Sequence, residues 1–169
     1  MTEQEQTKLF DQWLGEHKGI FFKIVRAYAF TAADQDDLFQ EVALQVWRSV
    51  PDFRGESKVS TWIYRVALYT ASTWVRQEKK QVDTRPLADM EHVLSVTDHR
   101  EDGRVTWLYE QISQLDPTDR SICLLMLEGF SYKEIAEITG VSSSHVGVKI
   151  HRIKRHLTQK SREKIGHGL

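Results

Sequence analysis

Two stretches of the chain combine residue types suited to contact with a polyanion. The first is FSYKEIAEITGVSSSHVGVKIHRIKRHL at 130–157, in which two helical patterns meet at Gly140. The second pattern opens with three serines and closes in a basic run. A helix-turn-helix needs a small residue where its helices cross and a glycine at the turn, and Ala136 and Gly140 meet those needs. Ile135, Ile138, Val146 and Ile150 fall at core spacing. The second helix is expected to begin at Ser142 or Ser143, so that Ser143, Ser144 and His145 lead it toward a duplex with backbone N–H groups suited to phosphate. With Val146 and Ile150 inward, Lys149, His151, Arg152 and Arg155 form the outer side. Arg152 is the expected base reader, since a guanidinium bonds a guanine edge through two N–H groups. Lys149, Lys154 and Arg155 are expected on phosphates. The plainer alternative is an αα-hairpin with a charged outer face. His145 and His151, six residues apart, do not share a helix face as a metal pair would require.

The second stretch is STWIYRVALYTASTWVRQEKK at 60–80. At about 100° per residue, Ile63, Val66, Ala67, Thr70 and Trp74 share one face, the expected core. Trp62, Arg65, Tyr69, Ser72, Arg76 and Lys80 share another. Rings interleaved with cations suit unpaired nucleic acid, the rings stacking on or wedging between bases and the cations holding the backbone. Burial of Trp62 and Tyr69 against a neighbouring element is the competing reading. A third group, Asp34, Asp36, Asp37 and Glu41, raises the question of an enzyme. No glycine-rich phosphate loop, paired histidine or nucleophile arrangement accompanies it, and helix capping accounts for Asp34 and Asp37. No catalytic residue, metal site or cofactor is therefore expected.

Helices must position these groups. Residues 7–30 carry Leu9, Trp13, Ile20, Ile24 and Tyr28 at near-helical spacing. Asp34 is the expected N-cap of the next helix, with Asp37 in its first turn. Leu38, Val42 and Val46 then repeat every four residues, Phe39, Ala43, Trp47 and Val50 widen the stripe, and Pro51 ends it. Residues 51–59 read as a loop, and Ser60 as the cap of a long helix running to about Lys80. A further helical block is expected from near Val105 to Leu115. Asp116 and Pro117 start the next helix, Gly129 stops it after Leu127, and Ser131 with Glu134 makes a capping box. Strand alternation is absent. The expected fold is all-α: two small helical bundles, 1–82 and 105–169, joined by a flexible acidic linker at 83–104.

The bulk numbers agree with a folded, soluble chain of 169 residues, 40% apolar and 28% charged. No apolar run approaches the roughly 20 residues of a membrane span, and the polar, acidic N-terminus argues against a signal peptide. Cys123 is the sole cysteine, flanked by Ile122 and Leu124, so a small core residue in a reducing cytoplasm is expected rather than a disulfide framework. The net charge of −1 hides an asymmetry: residues 83–110 hold seven acids against three bases, and residues 145–169 hold seven bases against Glu163 alone. A polyanion partner at the C-terminus fits that pattern, as does a solvated helix end whose cations complement its dipole.

The segment DQDDLFQEVALQVWRSVPDFRGESKVSTWIYRVALYTA at 34–71 closely resembles region 2 of the extracytoplasmic-function sigma factors of bacterial RNA polymerase. LDPTDRSICLLMLEGFSYKEIAEITGVSSSHVGVKIHRIKRHL at 115–157 resembles their region 4. The two come in the family's order, and together they cover most of the chain. The resemblance implies a promoter-specificity subunit with core RNA polymerase and promoter DNA as partners, commonly an anti-sigma factor as well, and no membrane insertion. The family's helix with the D-L-x-Q-E pattern docks on the clamp helices of the largest polymerase subunit. Here it maps to Asp37, Leu38, Gln40 and Glu41, with Asp36 extending the acidic patch and Arg48 further along. The run from Phe53 to Trp62 resembles the family's loop and helix start that open the −10 element, which implies Phe53, Arg54, Gly55, Ser57 and Lys58 around an extruded base and Trp62 at the fork. Arg65, Tyr69, Arg76 and Lys80 continue that surface. Region 4 implies −35 contacts at Ser143, Ser144, His145, Lys149, His151, Arg152 and Arg155. Two departures stand out: Tyr69 replaces a frequent Asn, and Gly147 and Val148 stand where relatives often carry basic and hydroxyl residues. An autonomous dimeric regulator on a palindromic site is the rival reading, and it leaves the 62–69 stripe without a task.

Overall fold

The computed structural model describes residues 1–82 and 102–167, with the side chains of 79–82 and 167 left aside. The expected linker, 83–104, falls outside the described residues apart from 102–104. Among the described residues eight α-helices follow in order: α1 (Glu3–Glu16), α2 (Lys18–Tyr28), α3 (Ala32–Ser49), α4 (Val59–Val82), α5 (Gly103–Ser113), α6 (Pro117–Leu127), α7 (Tyr132–Thr139) and α8 (Ser143–His167). A single 3₁₀ turn, Val50–Asp52, follows α3, and no strand occurs among the described residues. The chain divides into two compact units, Met1–Tyr109 and Glu110–Leu169, with the division inside α5.

In the first unit a capping box starts α1: the Glu5 N–H donates to Thr2 Oγ1 and the Thr2 N–H to Glu5 Oε2, at 3.2 and 2.7 Å. The cap of α3 is Thr31 and not Asp34. Thr31 is extended, and its Oγ1 accepts from the Asp34 N–H at 3.1 Å, which places Asp34 in the first turn. Both residue types cap well, so the upstream hydroxyl took the position the sequence had suggested for the carboxylate. Leu38, Val42 and Val46 are fully buried, as their spacing requires. Helix α4 begins at Val59, so Ser60 lies within its first turn and does not cap it.

The buried face of α4 also differs from expectation. Ile63, Ala67 and Thr70 are buried as read from the sequence, but so are Tyr64, Leu68, Ala71 and Val75, while Val66 and Trp74 are only half-buried. The cause is that α4 packs on both α2 and α3. Two neighbours need a wide apolar arc, and a single stripe underestimates it. Phe21, Ile24, Tyr28, Leu38 and Ile63 are the largest fully buried side chains of this unit, each worth about 1.5–3 kcal/mol of burial.

In the second unit the expected starts and stops recur. Asp116 caps α6 by accepting from the Asp119 N–H at 2.9 Å, with Pro117 at the first helical position. Burial pushes the Asp116 carboxyl up, but the Asp119 N–H and the nearby Lys149 ammonium outweigh it and hold the group below its ordinary value. Ser131 and Glu134 form the capping box of α7. Gly140 then turns the chain with φ +78°, and Ser142 Oγ accepts from the His145 N–H as α8 begins. Ile122, Leu125, Ile135, Val146 and Ile150 close the core.

Two features of this unit were not expected. Arg120 is buried, its Nε donating to the Leu115 carbonyl at 2.7 Å and its Nη2 to the Ser113 carbonyl at 2.8 Å, which satisfies the end of α5. Gly147, inside α8, faces the Tyr132 ring, whose Cε2 would stand 3.4 Å from a Cβ placed there. The two glycines of the motif should therefore respond oppositely to alanine. Gly140→Ala is expected to lower stability by about 1 kcal/mol because it forces a side chain into the left-handed region. Gly147→Ala should raise it by a few tenths to about 1 kcal/mol through helix propensity, and chemical denaturation followed by circular dichroism reads both.

Candidate nucleic-acid interface

Helix α8 holds most of its expected surface. Ser143, Ser144, His145, His151, Arg152, Lys154 and Arg155 are all exposed, opposite the buried Val146, Ile150 and Ile153. Lys149 is the exception. Its Nζ lies 2.8 Å from Asp119 Oδ1, and the two side chains are only 19% and 23% exposed. The pair ties α8 to α6, so Lys149 belongs to the packing of the unit and not to the outward surface where a duplex contact was expected. Periodicity placed the residue near the edge of the outer face; the acid that draws it inward lies thirty residues upstream.

The surface of α4 is more selective than expected. Arg65, Tyr69 and Arg76 are exposed, Tyr69 by 75%, and Ser72 is half-buried. The side chain of Lys80 lies outside the described residues. Trp62 does not stand free as a wedge: it is half-buried, its Nε1 donates to Ser49 Oγ at 3.1 Å, and its ring meets Phe53 at 5.7 Å. Phe53 in turn sits edge-on to the buried Trp13, at 5.2 Å and 87°. These three rings tie α1, the 53–58 loop and the head of α4 together, each aromatic contact adding about 0.5–1.5 kcal/mol beyond its burial. Arg54, Gly55, Ser57 and Lys58 remain exposed on the loop, and Gly55 turns it with φ +74°. The spacing placed Trp13 on an apolar stripe but not against Phe53, and gave no sign of Ser49, because nothing local connects either of them to the rings they meet.

On α3, Asp36, Asp37, Gln40 and Arg48 are exposed, and Glu41 is half-buried and accepts from Gln45 Nε2 at 2.9 Å. Leu38, expected among the docking residues, is 0% exposed: it fills the core and positions its polar neighbours without presenting a surface. Leu44 lies on the outer side, 40% exposed and four residues from both Gln40 and Arg48. Its four-residue spacing from Gln40 would have signalled this. Helix α1 braces α3 from the side, with Gln6 Nε2 donating to the Trp47 carbonyl at 2.7 Å and Trp47 Nε1 to Thr7 Oγ1 at 3.1 Å. Among the described residues no cluster of His, Cys, Asp or Glu could hold a metal ion, and no helix is long and apolar enough to cross a membrane.

A bundle with an outward ring between cations is followed by a helix-turn-helix with a basic second helix, surfaces suited to nucleic acid. Comparison with known proteins supplies the family. The family model for sigma-70 region 2 matches residues 14–81, and that for sigma-70 region 4 matches residues 106–157. The RNA polymerase sigma factor YlaC of Bacillus subtilis is 30% identical over 138 residues, covering 75% of this chain and 79% of that protein. SigV, an RNA polymerase sigma factor of the same organism, is 27% identical over 155 residues, covering 90% and 91%. The solved sigma factor RpoE of Bartonella quintana, in complex with the anti-sigma factor NepR, shares the fold with a TM-score of 0.72 at 18% identity, covering 90% of this chain and 96% of that one. The chain belongs to the sigma-70 family. Within it, the protein is an RNA polymerase sigma factor of the extracytoplasmic-function type, a promoter-directing subunit and not an enzyme.

Lys149 is paired within the unit, whereas Arg152 is exposed. Lys149→Ala is expected to cost about 1–2 kcal/mol of stability, since it leaves Asp119 partly buried without its cation. Arg152→Ala should stay within about 0.5 kcal/mol of the parent while weakening −35 duplex binding by the polymerase-bound factor. Denaturation midpoints and duplex titrations on the two variants check both.

Proposed function

We propose that three surfaces of this sigma factor divide promoter recognition among them. Sigma region 2 at 1–82 and region 4 at 105–169, connected through 83–104, carry the work. The exposed side of α3, with Asp36, Asp37, Gln40 and Arg48 and the half-buried Glu41, docks on the clamp helices of core polymerase. Its acidic residues have no inward task, and an acidic face suits a basic partner surface. The 53–58 loop takes an extruded base of the −10 element among Arg54, Gly55, Ser57 and Lys58, while Phe53 and Trp62 hold that loop in shape from behind. Tyr69, with Arg65 and Arg76, meets the melted strand. On α8, Ser143, Ser144, His145, His151, Arg152 and Arg155 face the −35 duplex in the major groove.

The observation that carries this reading is the isolation of Tyr69. Its neighbours Tyr64, Leu68 and Trp62 are wholly or partly packed, yet a 75% exposed ring stands on the face that also presents Arg65 and Arg76. Opening a duplex costs a few kcal/mol per unstacked step, and a ring stacked on an unpaired base returns about 1–3 kcal/mol. One such contact offsets much of one step, and further steps need the loop pocket and polymerase itself. The reading includes action in the cytoplasm, where core polymerase is found. It also includes control by an anti-sigma factor, supported by the structural neighbour that was solved bound to one.

In vitro transcription with core polymerase should give specific initiation. The chain without polymerase should bind the same promoter duplex weakly, and tight specific binding by the chain alone would argue against the reading. Tyr69→Ala is expected to slow open-complex formation by about tenfold or more on duplex promoters, in line with the loss of one stacked base, and to be largely rescued on a template already unpaired at −10. Asp37→Lys should abolish capture by core polymerase at unchanged helix content, measured by pull-down and circular dichroism.

A further inference from the structure

The outward apex of α8 carries an apolar side chain among polar ones. Val146, Ile150 and Ile153 are buried, and at about 100° per residue their mean direction lies within about 15° of the line directly opposite Val148. Val148 is 47% exposed, and Ser144, Arg152 and Arg155, all exposed, lie within about 40° of it around the helix. A lone exposed valine is ordinary on a protein surface. This one occupies the direction that points to the base edges when a recognition helix lies in the major groove.

An isopropyl group offers no hydrogen bond, so it cannot tell one donor or acceptor from another. The apolar feature that the major groove does present is the C5-methyl of thymine. Gly147 adds no side chain beside it, and the Tyr132 ring packs over that glycine. We propose that Val148 is a specificity-determining residue that packs against a thymine methyl in the −35 duplex, beside the position read by Arg152. This rests on the reading of α8 as the −35 reader, and it names one base which that reading alone does not.

The test uses polymerase reconstituted with the full chain. Promoters selected from a library randomised through the −35 region should show a fixed thymine at one position. Deoxyuridine at that position removes only the methyl, and it should weaken binding about fourfold, the worth of roughly one buried methyl group. With Val148→Ala, thymine and deoxyuridine duplexes should bind equally; the position is exposed and alanine favours helix, so the variant should fold, which circular dichroism checks. The absence of a fixed thymine, a missing deoxyuridine penalty, or a penalty that persists in Val148→Ala each overturns the proposal. If Arg152→Ala still relaxes a fixed −35 sequence in those cases, the role of α8 stands and the Val148 assignment alone falls. If the −35 positions emerge random and Arg152→Ala changes nothing, the role of α8 falls and this proposal with it.

Discussion

Everything the first unit presents to its surroundings depends on the enclosure of α4. That helix is packed on α2 and on α3, and its N-terminal end is gripped by the Trp13–Phe53–Trp62 rings. Much of its circumference is committed to the interior, and among its described side chains Arg65, Tyr69, Arg76 and Gln77 are exposed, the first three on one strip. A ring on such a strip is held on a rigid, fully bonded backbone. It does not have to be ordered when a base arrives, and that lowers the entropic cost of stacking. The same enclosure explains why Trp62 cannot act as a loose wedge. Its indole N–H is already bonded to Ser49, and moving it outward would break the joint between the end of α3 and α4.

The second unit solves a different problem with charge. Two short helices, α6 and α7, pack on the longer α8, and polar ties supplement their apolar contacts. Arg120 gathers the Ser113 carbonyl at the end of α5 and the Leu115 carbonyl in the turn after it, and Lys149 reaches from α8 to Asp119 on α6. Pairing at partial burial is not a large source of stability, because desolvation offsets much of the attraction. Its effect is directional: an ammonium held by one acid fixes how α8 is rotated about its axis. That rotation decides which side chains of α8 face outward.

The helical class, the two helical bundles and most helix starts and stops were legible because they are written in local chemistry. Caps such as Asp116, the Ser131–Glu134 box and the left-handed Gly140 act within four residues of themselves. The outward residues of α8 followed from a single period. What escaped was set by partners distant in sequence. Thr31 displaced Asp34 as a cap, Tyr64 and Leu68 were buried because α4 has two neighbours, and Lys149 turned inward toward an acid on another helix. The stripe on α4 was half right for the same reason. Tyr69 points away from every neighbour, whereas Trp62 lies where a loop folds back over the helix.

Cys123 is fully buried, and burial, with the Asp119 carboxylate adding to it, pushes its thiol up to about 11. Reagents that seek a thiolate find almost none there near neutrality. The chain therefore carries its only sulfhydryl in a silent form. A second cysteine introduced at a surface position would be the one that takes a dye or a crosslinker, and the native residue could stay in place while the opening of a promoter is watched by light.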